Sequence, residues 1–121
     1  MYQVKRHSTS HFIPLRGHQY HVREWGHPQS TLPPVVLAHG WMDVAASWQF
    51  MVESFTAAFF GNRRILAADW RGYGLTKGPA TDSYWLPDYL GDLDALLRHL
   101  CPDQPIDLVG HSMGGNVVMM Y

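Results

Sequence analysis

The stretch Ile106-Asp107-Leu108-Val109-Gly110-His111-Ser112-Met113-Gly114-Gly115-Asn116-Val117-Val118-Met119-Met120 decides the fold. Its opening residues, Ile106 to Val109, suit a strand buried in a sheet, and Asn116 to Met120 suit a helix. Between them there is room only for a tight turn, with Ser112 at its tip. Side chains two residues to either side of such a tip would collide across the bend. Glycines at 110 and 114 remove that collision, while the serine itself is forced into a strained backbone conformation. A strand, a glycine-tight turn and a helix in that order hold one hydroxyl outward.

Two similar units lie upstream. Val35-Val36-Leu37-Ala38, after Pro33-Pro34, is an unbroken apolar run that reads as a strand buried on both faces, and His39-Gly40 ends it. Apolar residues then recur at Trp48, Met51, Val52, Phe55 and Phe59, predicting one helix with Ser47 as its N-cap and Gly61-Asn62 at its end. Arg64 to Ala68 is a second buried strand leading to Asp69. After a glycine-rich loop, Leu86, Leu90, Leu93, Leu97 and Leu100 fall in helical register over about 86–100, and Pro102 stops the helix. Its aspartates Asp88, Asp92 and Asp94 are expected on the solvated side or near the start, where the helix dipole favours them. Ahead of everything, Ser10 to Leu15 and Gln19 to Trp25 flank Arg16-Gly17-His18 as a β-hairpin at a sheet edge.

The expected architecture is α/β: a mostly parallel sheet flanked by helices, joined by right-handed crossovers and preceded by the N-terminal β-hairpin. Residues 1–121 read as the N-terminal part of a single domain. The helix begun after Gly115 meets no glycine, proline or capping residue before Tyr121, so the core is expected to be incomplete, cut after the turn.

Composition narrows the functions. The chain has 121 residues, 46% of them hydrophobic and 13% aromatic, which is enough for a packed core. A formal net charge of −1 and no basic run give no field to draw nucleic acid or an anionic membrane, so neither is an expected partner. The single cysteine, Cys101, forms no internal disulfide, and no apolar segment follows the basic start at signal-peptide length. A cytoplasmic location is expected. His7/His11 and His18/His21 have spacings a metal could use on a helix, but they lie in strand and loop, so no metal site is expected.

Three loops leave the carboxyl ends of the three parallel strands, the edge at which ligands gather in α/β sheets. They are His39-Gly40-Trp41-Met42-Asp43, then Asp69-Trp70-Arg71-Gly72-Tyr73-Gly74-Leu75-Thr76, and the turn around Ser112. Together they resemble the α/β-hydrolase family, in its smaller esterase, lipase and carbon-carbon hydrolase-like members, from about Val22 to Tyr121. The resemblance implies that Ser112 is the nucleophile of an acyl-enzyme, in a nucleophile elbow supported by Gly110, His111 and Gly114. It implies an oxyanion hole made of the backbone N–H groups of Met113 and Trp41, with Gly40 letting the loop fold close over the oxyanion position. The substrate would be a small-molecule ester or acyl compound, with no cofactor.

In that family an acidic residue and a base histidine follow the serine, and only nine residues follow it here, so the chain alone is expected to be inactive. Of the eight histidines, His39 is the only geometric contender for a substitute base. His39 and His111 are otherwise expected to hydrogen-bond loop backbone around the oxyanion site. Asp69 and Arg71 read as fixing their loop through local hydrogen bonds, and Asp43 and Trp48 as serving helix initiation and core packing. An acyltransferase or a cofactor-free perhydrolase would differ only in what attacks the acyl-enzyme, and a non-catalytic truncated product stands as the reading from another class. A serine at the elbow sets the chain apart from the dehalogenase and epoxide-hydrolase branches, which place an aspartate there. A nucleotide-binding reading fails, since Gly72-Tyr73-Gly74 lacks a third glycine and Gly110 to Asn116 lacks Lys-Ser or Lys-Thr.

Overall fold

A computed structural model describes residues 1–80 and 82–121. Five strands form one mixed sheet: β1 (Thr9–Leu15), β2 (His18–Gly26), β3 (Val35–Ala38), β4 (Arg64–Ala68) and β5 (Asp107–Gly110), in the order β1-β2-β4-β3-β5. The hairpin β1–β2 is antiparallel and joins the sheet by pairing β2 antiparallel with β4, whereas β3 runs parallel to both β4 and β5. Parallel pairing puts the ends of β3, β4 and β5 on one edge, so the three loops of interest emerge side by side.

Alternation along the strands supplies two cores. Val36 and Ala38 of β3 and Leu66 of β4 face one side with Tyr20 and Val22, where they meet Leu93, Leu96 and Leu97 of α3 (Leu86–Leu100) and Val117 of α4 (Met113–Met120). Val35, Leu37, Ile65 and Ala67 face the other side with Trp25, where Ala45 and Val52 cover them. Both faces of β3 and β4 are therefore buried, the reason their sequences read as continuous apolar runs.

The single helix expected from Ser47 to Gly61 is three pieces: a 3-10 turn over Ala45–Trp48, α1 (Gln49–Ser54) and α2 (Ala57–Asn62). Ser47 is not a cap; its hydroxyl donates to the Asp43 carboxylate. The interruption falls where side chains compete for backbone groups. Ser54 Oγ donates to Met51 O at 2.6 Å, Phe55 turns extended, and Thr56 Oγ1 accepts from Phe59 N–H at 3.2 Å to start α2 afresh. The apolar periodicity survives the break because Phe55 and Phe59 still stack, 4.8 Å between ring centroids.

Asp92 also departs from expectation. It is fully buried on α3 rather than solvated, and it accepts from Arg71 Nε at 2.6 Å, Arg71 Nη2 at 2.7 Å, Arg16 Nε at 2.9 Å and the Tyr20 hydroxyl. Asp88 does lie in the first turn of α3, where it accepts the Ser83 hydroxyl at 2.6 Å, and Asp94 pairs with Arg98 at 2.9 Å on the outer surface.

Candidate functional site

Ser112 has φ 55° and ψ −121°, outside the ordinary range for a residue with a side chain. Such a conformation costs about 1–3 kcal/mol and persists only where its surroundings over-determine it. They do so here through backbone hydrogen bonds: His111 N–H donates to Ala38 O at 3.0 Å, Gly114 N–H to His111 O at 3.0 Å, and Asn116 N–H to Ser112 O at 3.1 Å. The flanking glycines are explained by space. A Cβ on Gly110 would lie 2.5 Å from Gly114 O, and one on Gly114 would lie 2.1 Å from Ala38 O. The turn is thus clamped between its own helix and the end of β3, and Ser112 stays exposed.

The loop after β3 lies beside that serine. A Cβ on Gly40 would stand 3.0 Å from Ser112 Cβ, so only glycine lets the loop approach without displacing the elbow. Among the described residues, neither Trp41 N–H nor Met113 N–H has a protein acceptor. Met113 opens α4, whose first-turn amides have no partner within the helix and carry the positive end of its dipole. The amide that follows Ser112, at the start of α4, is thus uncommitted. The Trp41 and Met42 side chains are exposed, as is Phe50 on α1.

His39 is wholly buried, and both its ring nitrogens are engaged. Nε2 accepts Trp70 N–H at 3.0 Å, which places the proton on Nδ1, donating to Gly40 O at 2.8 Å; Trp70 Nε1–H returns a bond to His39 O at 2.9 Å. Burial pushes its pKa below the ordinary value, so the ring is neutral. His39 therefore ties the loop after β3 to the loop after β4, and has no nitrogen left for Ser112. His111 departs from expectation in another way: its backbone, not its ring, binds the loops, and the ring makes no hydrogen bond among the described residues. His111 borders a cleft of about 310 Å³ lined also by Asp43, Ser47, Trp48, Phe50 and Met51. Burial opposes ionisation of Asp43, but the Ser47 hydroxyl and Val44 N–H outweigh it and hold its pKa below the ordinary carboxylate value.

The loop after β4 contributes positioning that the sequence reading understates. Asp69 binds within its loop, accepting Leu75 N–H at 2.9 Å, but also accepts Ala45 N–H at 2.7 Å and the His21 ring at 2.8 Å. Arg71 reaches out of its loop to Asp92 on α3; that pairing outweighs desolvation and raises the guanidinium pKa further. These partners lie 21 to 48 residues away, and no local pattern signals them. Two of the other paired histidines each face one carboxylate, His11 toward Glu24 at 3.3 Å and His18 toward Asp82 at 3.0 Å. Among the described residues no group of three or more His, Cys, Asp or Glu could hold a metal.

Residues 33–121 match a family model described as alpha/beta hydrolase fold. Epoxide hydrolase A of Mycobacterium tuberculosis is 32% identical over 111 residues, covering 91% of this chain and 33% of its own length. Cis-3-alkyl-4-alkyloxetan-2-one decarboxylase of Shewanella oneidensis is 31% identical over 113 residues, covering 92% of this chain and 33% of its own. Among solved structures, the thioesterase domain from the curacin biosynthetic pathway aligns with a TM-score of 0.82 at 31% identity, over 94% of this chain and 40% of that one. The chain spans about a third of the length of the curated relatives it matches.

Proposed function

Because this chain belongs to the alpha/beta hydrolase fold family, we propose that it carries the nucleophile and oxyanion hole of a serine hydrolase acting on carboxylic esters or related acyl bonds. The observation that carries the proposal is the placement of Ser112: a strained, exposed serine at the start of α4, beside a glycine loop, with the Trp41 and Met113 amides uncommitted. In this reading Ser112 Oγ attacks the acyl carbon, the two amides receive the oxyanion, and water resolves the acyl-enzyme. Each amide is worth about 3–4 kcal/mol of transition-state stabilisation.

A serine hydroxyl needs a base, and among the described residues no side chain hydrogen-bonds the Ser112 hydroxyl. We assign the acid and base to sequence following Tyr121, in keeping with the third of its relatives' length that the chain spans. The cleft between His111 and Phe50 and the exposed Trp41, Met42 and Phe50 side chains favour an apolar acyl group.

Epoxide opening is the second reading, favoured by the name of the Mycobacterium tuberculosis relative. Chemistry weighs against it. A carboxylate that opens an epoxide forms an ester, which water can cleave; a serine would form an ether, which water does not cleave, and the site would be blocked after one turnover. The name of the thioesterase domain accords with acyl chemistry. Both readings are tested in the protein carrying the sequence that follows Tyr121, with a panel of p-nitrophenyl esters and a panel of epoxides. Ester turnover that drops by about 10⁶-fold in Ser112→Ala supports the assignment; epoxide hydrolysis without esterase activity, or a Ser112→Ala rate within tenfold of the parent, refutes it.

A further inference from the structure

Away from Ser112, a second serine ends a chain of three hydrogen-bonded side chains. Ser10 Oγ lies 2.8 Å from His21 Nε2, and His21 Nδ1 lies 2.8 Å from Asp69 Oδ2. The sheet assembles this trio. Ser10 pairs with Arg23 and Phe12 with His21 in the β1–β2 ladder, which makes Ser10 and His21 diagonal neighbours on one face. β4 runs antiparallel to β2 and delivers Asp69 one residue past the Val22–Ala68 pair, where Asp69 N–H donates to His21 O at 2.9 Å.

The proton positions follow from the other partners. Asp69 Oδ1 already accepts Ala45 N–H and Oδ2 accepts Leu75 N–H, so the carboxylate acts as an acceptor toward His21 and the ring proton sits on Nδ1. Nε2 then presents its lone pair, and the Ser10 hydroxyl is the donor. His21 is fully buried beneath the Phe12 ring, 5.0 Å between centroids, whereas Ser10 is exposed. Buried acid, oriented imidazole and accessible hydroxyl stand in the order that general-base activation of a serine requires.

We propose that Ser10 is a second nucleophile, independent of Ser112, that accepts an acyl or phosphonyl group from small donors with a good leaving group, such as aryl esters. Ser10 Oγ bonds to the acyl carbon as the bond to the aryloxide breaks. The hydroxyl proton passes to His21 Nε2, facing Asp69 across the ring, and then to the departing aryloxide, so that ester and serine yield acyl-serine and phenol. β1 offers no helix N-terminus like that of α4 to cradle an oxyanion, so the reaction stops at the stoichiometric adduct and requires an activated donor.

The test treats the Ser112→Ala protein, at sub-micromolar concentration, with an alkyl fluorophosphonate and quantifies adducts peptide by peptide. Expected is an adduct at Ser10 forming at least about tenfold faster than at the exposed serines Ser54 and Ser83, since a positioned base contributes about 10²–10⁴. It should fall by at least about tenfold in His21→Gln, which keeps hydrogen-bonding capacity but removes the base. Should that buried substitution abolish cooperative melting, the ratio of Ser10 to Ser54 in the His21-bearing protein decides alone. A ratio below ten, or an unchanged Ser10 rate in a folded His21→Gln protein, overturns the proposal. Neither result bears on Ser112, which the test omits.

Discussion

Two glycines one residue apart separate the demands of the elbow from those of the helix it begins. A Cβ on Gly114 would meet Ala38 O at 2.1 Å, backbone against backbone, whereas one on Gly115 would sit 3.4 Å from Gly110 O, in ordinary contact. Gly114→Ala should therefore cost about 3 kcal/mol in denaturant unfolding, and Gly115→Ala should be neutral or stabilise by up to about 1 kcal/mol as an alanine within a helix. Equal effects of the two would show that the turn does not pack against β3 as described. His39 gives a pH dependence of defined sign. Its pKa lies below the ordinary 6.5, so the unfolded chain takes up a proton that the folded one refuses as pH falls through that value. The stability held by the neutral ring is present above that pH and lost on acidification, at up to about 1.4 kcal/mol per pH unit. Unfolding free energies measured from about pH 7.5 to about pH 5.5 should fall more steeply in the native protein than in His39→Gln. The tight turn at Ser112 was legible in the sequence because the glycines that permit it, Gly110 and Gly114, lie within two residues of it, whereas its contacts with Ala38 and Gly40 come from β3 and the loop after it. The engagement of both His39 nitrogens was not, since one of its partners, Trp70, is 31 residues away.

At the scale of elements, strands and α3 followed from apolar runs and leucine spacing, which record burial directly. The broken helix after β3 did not follow, because its apolar periodicity continues across a break made by hydroxyl side chains. Thr56 Oγ1 starts α2, so Thr56→Ala should cost about 1 kcal/mol, measurable by chemical denaturation; no change would mean that packing of Phe55 and Phe59 alone sets the break. Asp92 misled for a related reason. An aspartate on a helix reads as solvated until tertiary structure brings Arg16 from the β1–β2 turn, Tyr20 from β2 and Arg71 from the loop after β4 to it. Removing one side of a buried charge network leaves the other unpaired, and Asp92→Ala should lower stability by about 3–5 kcal/mol.

Among the described residues, the sheet order pairs β5 on one side, with β3. Leu108 and Val109 are half-buried there, and Met119, Met120 and Tyr121 of the adjoining helix end are exposed. An unpaired apolar edge is a template for another strand. The 121-residue chain should self-associate as its concentration rises through the micromolar range, seen by sedimentation velocity; a monodisperse, cooperatively melting monomer would contradict this. The same order also explains why the site is recognisable in so short a chain: β3, β4 and β5 are neighbours, so their loops interlock through His39, Asp69 and His111 without further strands. In the proposed function, this interlocked edge presents the Ser112 hydroxyl to the Trp41 and Met113 amides. The most direct test of that arrangement is peptide-resolved fluorophosphonate labelling of the protein carrying the sequence that follows Tyr121. A covalent adduct is expected on Ser112, and it should disappear in Ser112→Ala. A folded protein whose Ser112 peptide stays unmodified would contradict it.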